Sequence, residues 1–104
     1  MLNLIGMALR ARKITIGSEI TIKKVRNGKV KLVFLANDAS FNTTKLVLDK
    51  CMTYNVEVIK DFNTLQLSNA IGKTNIKVLG VTDQGFSEAL SQKRKWLRWP
   101  KNNL

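Results

Sequence analysis

Acidic residues are scarce in this chain: Asp and Glu together number 7 against 18 Lys and Arg in 104 residues, a formal charge of +11. Histidine is absent, cysteine and proline occur once each, and aromatic residues make up 7%. Each shortage excludes something. Without His the commonest metal ligand and general base is missing, which argues against zinc and Cys-His chemistry. One cysteine closes no internal disulfide, and Cys51 falls at an apolar position of a helical pattern, where it reads as a small buried hydrophobe. No apolar run approaches the roughly 18 residues of a membrane span. The N-terminus MLNLIGMALRAR carries its arginines after the apolar stretch, the wrong order for a signal peptide. The expectation is an intracellular, cytoplasmic, soluble protein with no membrane partner.

Catalytic constellations are missing too. There is no phosphate-cradling Gly motif and no pair of carboxylates spaced to share one helical face. Asp38 reads as a turn residue bonding its own backbone, and Asp83 as a helix cap. The chain is therefore expected not to be an enzyme, and to need no cofactor, no metal and no small-molecule substrate.

What is present is positive charge, unevenly placed. Residues 1–31 hold Arg10, Arg12, Lys13, Lys23, Lys24, Arg26, Lys29 and Lys31 against Glu19 alone, and residues 91–104 add Lys93, Arg94, Lys95, Arg98 and Lys101 with no acid. The stretch between is close to neutral. A merely solubilising surface mixes signs, so two single-signed ends imply a polyanionic partner, nucleic acid first. In the last segment Trp96 and Trp99 alternate with cations and fit either stacking on bases or packing onto the domain.

Periodicity gives alternating helices and strands. A first helix spans Leu2 to Arg10, followed by a brief strand Ile14–Thr15–Ile16 ending at Gly17. Ser18 is expected to cap a helix carrying Ile22 and Val25, stopped by Gly28. LVFLA, Leu32 to Ala36, reads as a strand covered on both faces. A helix from about Asn42 turns Val47, Leu48, Cys51 and Tyr54 inward, and Val56 to Ile59 is a strand. Thr64 is expected to cap a helix ended by Gly72, Ile76 to Val81 is a strand, and a last helix runs from Asp83 to about Lys95 with Phe86, Leu90 and Leu97 inward. This order implies an α/β fold, a three-layer sandwich. Residues 1–95 are expected to form one nucleic-acid-binding domain, and 96–104 a basic C-terminal tail.

Four segments in order, GSEITIKKVRNGKVKLVFLA from Gly17, NDAS from Asn37, LSNAIGK from Leu67 and VTDQGF from Val81, resemble the ribosomal protein L7Ae family, in particular its bacterial ribosomal-protein-like branch. The resemblance covers about residues 2–92. It implies an α-β-α sandwich on a four-stranded mixed sheet and binding of structured RNA, of the kink-turn type with sheared G·A pairs, in a ribosomal setting. The family pattern is Gly, a small hydroxyl residue, Asn, Glu, two variable positions and Lys. Gly17, Ser18 and Lys23 match it, while Glu19 and Ile20 replace the Asn and Glu that read the G·A edges. A second contact loop falls on Gly72, Lys73, Thr74 and Asn75. Lys24 and Arg26 join the set by charge, and free amides at Glu19 to Thr21 are placed to meet a phosphate or a base acceptor. The alternative is a ribonucleoprotein accessory protein that docks through protein contacts and holds nucleic acid by charge alone.

Overall fold

The computed structural model describes residues 1–92. The elements follow in the order α1 (Leu2–Arg10), β1 (Ile14–Ile16), α2 (Ser18–Arg26), β2 (Leu32–Leu35), α3 (Phe41–Thr53), β3 (Glu57–Ile59), α4 (Thr64–Ala70) and β4 (Val78–Val81). A fifth helix, α5, covers residues 84–92. The sheet order is β1-β4-β2-β3, with β4 antiparallel to both β1 and β2 and β3 parallel to β2. This is the four-stranded mixed sheet of the expected α-β-α sandwich.

Strand alternation sorts the core into two layers. Leu32, Phe34, Leu79 and Val81 point to one face and pack with Ile5 of α1, Leu67 of α4 and Leu90 of α5. Val33, Leu35 and Val78 point to the other and pack with Ile22 and Val25 of α2 and Val47 and Cys51 of α3. Every residue of β2 is buried, which is why its sequence is continuously apolar. Burying each such side chain contributes about 1.5–3 kcal/mol. Gly80 in β4 is the close approach between layers: a Cβ there would collide with Thr15 Oγ1 and lie 2.9 Å from Thr21 Cγ2. The two threonine hydroxyls bond each other at 2.8 Å, tying α2 to edge strand β1.

Helices α1 to α4 all end alike. The residue after the cap takes a left-handed φ and its amide bonds back three residues, while the next amide bonds back five. Those left-handed residues are Arg12, Gly28, Asn55 and Gly72, and the bonds include Lys13 N to Ala8 O (2.8 Å) and Lys29 N to Lys24 O (2.9 Å).

Several local expectations are corrected. Gly17, at φ 101°, is the N-cap of α2, so Ser18 is already its first helical residue. Asn63, not Thr64, caps α4, forming a reciprocal capping box with Gln66. Ser40 caps α3, which starts at Phe41. Tyr54 is about half exposed because α3 ends at Thr53 and the helical period stops there. β3 and β4 are shorter than expected, beginning at Glu57 and Val78. Asp83 does cap its helix, accepting from Phe86 N at 2.9 Å. Lys95, Leu97 and both tryptophans lie outside the described residues, as does the expected boundary at residue 95.

Candidate RNA-binding surface

Antiparallel pairing of β1 with β4 sends the chain after Ile16 to the place where β4 begins. Gly17 N donates to Val78 O at 2.9 Å, so the first turn of α2 sits against residues 75–78. A groove of about 200 Å³ results, lined by Gly17, Ser18, Thr43, Asn75, Ile76, Lys77 and Val78. It joins the two expected contact segments, far apart in sequence, at one end of the sheet. Thr21 N is not free there, because it donates to Gly17 O at 3.2 Å; the helix-end amides are those of Ser18, Glu19 and Ile20.

The loop from Gly72 to Asn75 is held from below by Ser68. The Ser68 hydroxyl, buried, donates to Thr64 O at 2.6 Å and accepts from Ile76 N at 2.8 Å. Lys73 N bonds Ser68 O at 2.9 Å, and Asn75 adopts a left-handed φ of 57°, a conformation Asn tolerates well. The loop is thereby fixed before any ligand arrives. Its outer side borders a second groove, of about 330 Å³, lined among others by Asp38, Thr64, Lys73 and Asn75.

Asp38 lies in a turn and is bonded by its own backbone amide, as expected, but its strongest partner is Thr64. Its carboxylate accepts from Thr64 Oγ1 at 2.6 Å and Thr64 N at 2.9 Å, which ties the β2–α3 loop to the start of α4. Hydrogen bonding from the Thr64 side chain, then from its amide, holds the Asp38 carboxyl below its ordinary pKa. Cys51 is buried and burial pushes its thiol up to about 11, so it stays protonated and unreactive.

The expected residues do not form one patch. Glu19, Ile20 and Lys23 lie exposed along the outer side of α2, beyond the Gly17 groove. Lys73 and Thr74 line the second groove. Lys24 lines a different concavity at the opposite end of the sheet, and Arg26 ends α2 there. Sequence reasoning did not assign Thr43 and Lys77, which share the groove with Gly17; only the sheet order brings them to it.

Among known proteins, the model of the Ribosomal protein L7Ae/L30e/S12e/Gadd45 family matches residues 1–91. A protein of Enterococcus faecium named RNA-binding protein YlxQ is 47% identical over 87 residues, 84% of each chain. A Bacillus halodurans protein of unknown function has a solved structure that superposes with a TM-score of 0.84 at 45% identity, covering 88% of this chain and 92% of its own. The Giardia lamblia 15.5kD RNA binding protein shares the fold, with a TM-score of 0.78 at 20% identity over 88% of this chain and 78% of its own. In sequence and in fold, this chain belongs to the Ribosomal protein L7Ae/L30e/S12e/Gadd45 family.

Proposed function

We propose that the protein is a non-catalytic binder of structured RNA, of ribosomal or similar ribonucleoprotein RNA, and that it takes a kink-turn-like element at the Gly17–Asn75 groove. The observation that carries this reading is the union of the α2 N-terminus with the Ser68-anchored loop. Gly17 and Ser18 at the α2 N-terminus and Asn75 of the anchored loop line one groove, and Lys23 stands a turn further on for a backbone phosphate. The name of the Enterococcus relative, an RNA-binding protein, supports the same reading. The groups that invite a catalytic role are otherwise engaged: Cys51 is buried and Asp38 is bonded to Thr64.

Base reading is the weaker part of this site. Ile20 is 47% exposed and offers an apolar side chain where the family pattern has a Glu. A site that hydrogen-bonds a base edge gains about 1–3 kcal/mol of discrimination per good contact, and Ile20 supplies none. The natural chain is therefore expected to prefer a standard kink-turn over one with Watson–Crick pairs in place of its G·A pairs by tenfold or less, about 1.4 kcal/mol. Glu19→Asn with Ile20→Glu should widen that gap. Lys23→Ala and Lys73→Ala should weaken binding of the kink-turn with little change in melting temperature, and Lys45→Glu much less. Fluorescence titration of both RNAs with these proteins tests the reading. Equal losses at Lys23, Lys73 and Lys45 would replace a defined site by a diffuse field.

A further inference from the structure

At the other end of the sheet lies a concavity of about 500 Å³ between the α1–β1 turn, the α2–β2 turn and the residue after β4. Arg12, Lys24, Lys29 and Lys31 line it together with Asn27 and Thr82, and among the described residues its lining contains no carboxylate. We propose that this concavity is a second phosphate-binding surface, which grips the backbone of an RNA duplex running along α2 from the Gly17 groove; in that path it rests on the function proposed above.

Three observations support it. First, α2 carries a continuous polar ridge between the two ends. Glu19 and Ile20, then Lys23, then Arg26 and Asn27 recur at helical spacing and are all exposed, so the cations after Ile20 form a track. From Gly17 to Asn27 the ridge is about 15 Å long, roughly four to five base-pair steps of a duplex. Second, Arg12 occupies a position where its side chain is not favoured by the backbone. Of the four left-handed residues that end α1 to α4, two are Gly and one is Asn, the types that tolerate this conformation, and the fourth is Arg12 at φ 60°. The turn alone would be better served by Gly. An Arg there delivers a guanidinium to the rim of the concavity, opposite Lys29 and Lys31. Third, Lys31 Nζ donates to Gly28 O at 3.2 Å, which holds one ammonium over the α2–β2 turn. Among the described residues, none of the exposed large hydrophobic side chains lines the concavity, whose character is therefore cationic and polar.

The test uses the full chain and its triple variant Arg12→Ala, Lys29→Ala, Lys31→Ala, all exposed positions whose loss should leave the melting temperature unchanged. Three RNAs are titrated against salt: a kink-turn with stems of about four base pairs, the same kink-turn with stems of about twelve, and a plain duplex of about twelve. The variant should bind the long-stem RNA and the plain duplex about tenfold or more weakly, with a salt slope shallower by about 2 to 3. It should bind the short-stem RNA like the parent. The charge-keeping variant Arg12→Lys, Lys29→Arg, Lys31→Arg should restore binding. Equal loss on all three RNAs, or no loss on the long stem and the duplex, overturns the proposal. So does retained RNA binding with selective loss on anionic phospholipid vesicles, which would assign the surface to membranes. If the parent ignores the kink-turn yet the variant loses the plain duplex, the Gly17 groove reading fails and the concavity stands.

Discussion

The two ends of α2 border different surfaces: at its N-terminus one fixed by directional bonds, and at its C-terminus one dominated by positive charge. Gly17 is hydrogen-bonded to Val78, the facing loop is pinned by Ser68, and the loop behind it is tied by Asp38 to Thr64. Around the opposite concavity stand, among the described residues, four cations and no carboxylate. The difference teaches that one short helix can serve two kinds of recognition. Fixed amides and a rigid loop suit the shape of a particular RNA element, whereas a cluster of cations suits any phosphate within reach. In the proposed reading, specificity and affinity are assigned to opposite ends of the same nine-residue helix.

The largest expected effect comes from lifting that helix off the sheet, which damages both ends together. Gly80→Ala places a Cβ against Thr15 Oγ1, 2.9 Å from Thr21 Cγ2 and 3.1 Å from Val30 Cγ2. These contacts belong to β1, to α2 and to the turn that leads into β2, so none can yield alone. Overpacking of this kind costs about 1–3 kcal/mol. Urea titration should show the unfolding free energy fall by that amount, with a lower midpoint, and binding of both the short-stem kink-turn and the plain duplex should weaken. A midpoint that does not move would show that α2 shifts freely, and that the two ends are not rigidly coupled.

The sequence made this architecture legible where one residue type settles one local question. Gly28 and Gly72 read as helix stops and are indeed the left-handed residues after α2 and α4. LVFLA read as a strand covered on both faces, since every position in β2 is buried. Arg12 and Asn55 end helices in the same way, but an Arg carries no signal for that geometry and a lone Asn only a weak one. The capping positions slipped by one at Gly17 and Asn63, because Ser and Thr one residue later are as good caps by type. The basic run from Lys23 to Lys31 read as one surface. Helical rotation divides it, sending Lys23 and Arg26 outward and Lys24 toward the concavity. The union of Gly17 with Asn75 and Lys77 depends on the order β1-β4-β2-β3, which no local pattern specifies.

A change at Ser68 should break one end and spare the other. Ser68→Ala removes the acceptor of the Ile76 amide, and an unpaired buried donor costs about 1–3 kcal/mol. The loop from Gly72 to Asn75 then loses its anchor, so affinity for the short-stem kink-turn should drop beyond what the lost stability explains. Binding of the plain duplex should stay within twofold of the parent. Amide exchange at Ile76 gives the direct check, since its protection should fall more than that of Val81 in the same strand region. Unchanged protection at Ile76 would mean that another group takes over the bond.

The smallest effect sharpens the comparison through pH, because among the described residues a carboxylate, Asp38, borders the grooved end while none lines the concavity. Its pKa in the folded protein lies below the ordinary 3.8, chiefly through the Thr64 hydroxyl and next through the Thr64 amide. A carboxyl depressed by folding stabilises the fold fully above its unfolded pKa, and that contribution is lost as pH falls through the folded value. Asp38→Asn should therefore melt slightly below the parent at pH 7, with the gap closing as pH falls below the ordinary carboxyl value and through the lowered pKa of the folded parent. Thr64→Ala should move the Asp38 carboxyl back toward its ordinary pKa in an NMR titration, since it removes the stronger of the two donors and leaves the weaker. The triple variant at the concavity should leave that titration where it is, as its residues lie at the far end of the sheet. A melting gap between Asp38→Asn and the parent that stays constant from pH 7 to pH 2 would mean that Asn fails there by shape, and that the charge on Asp38 contributes nothing to holding the grooved end together.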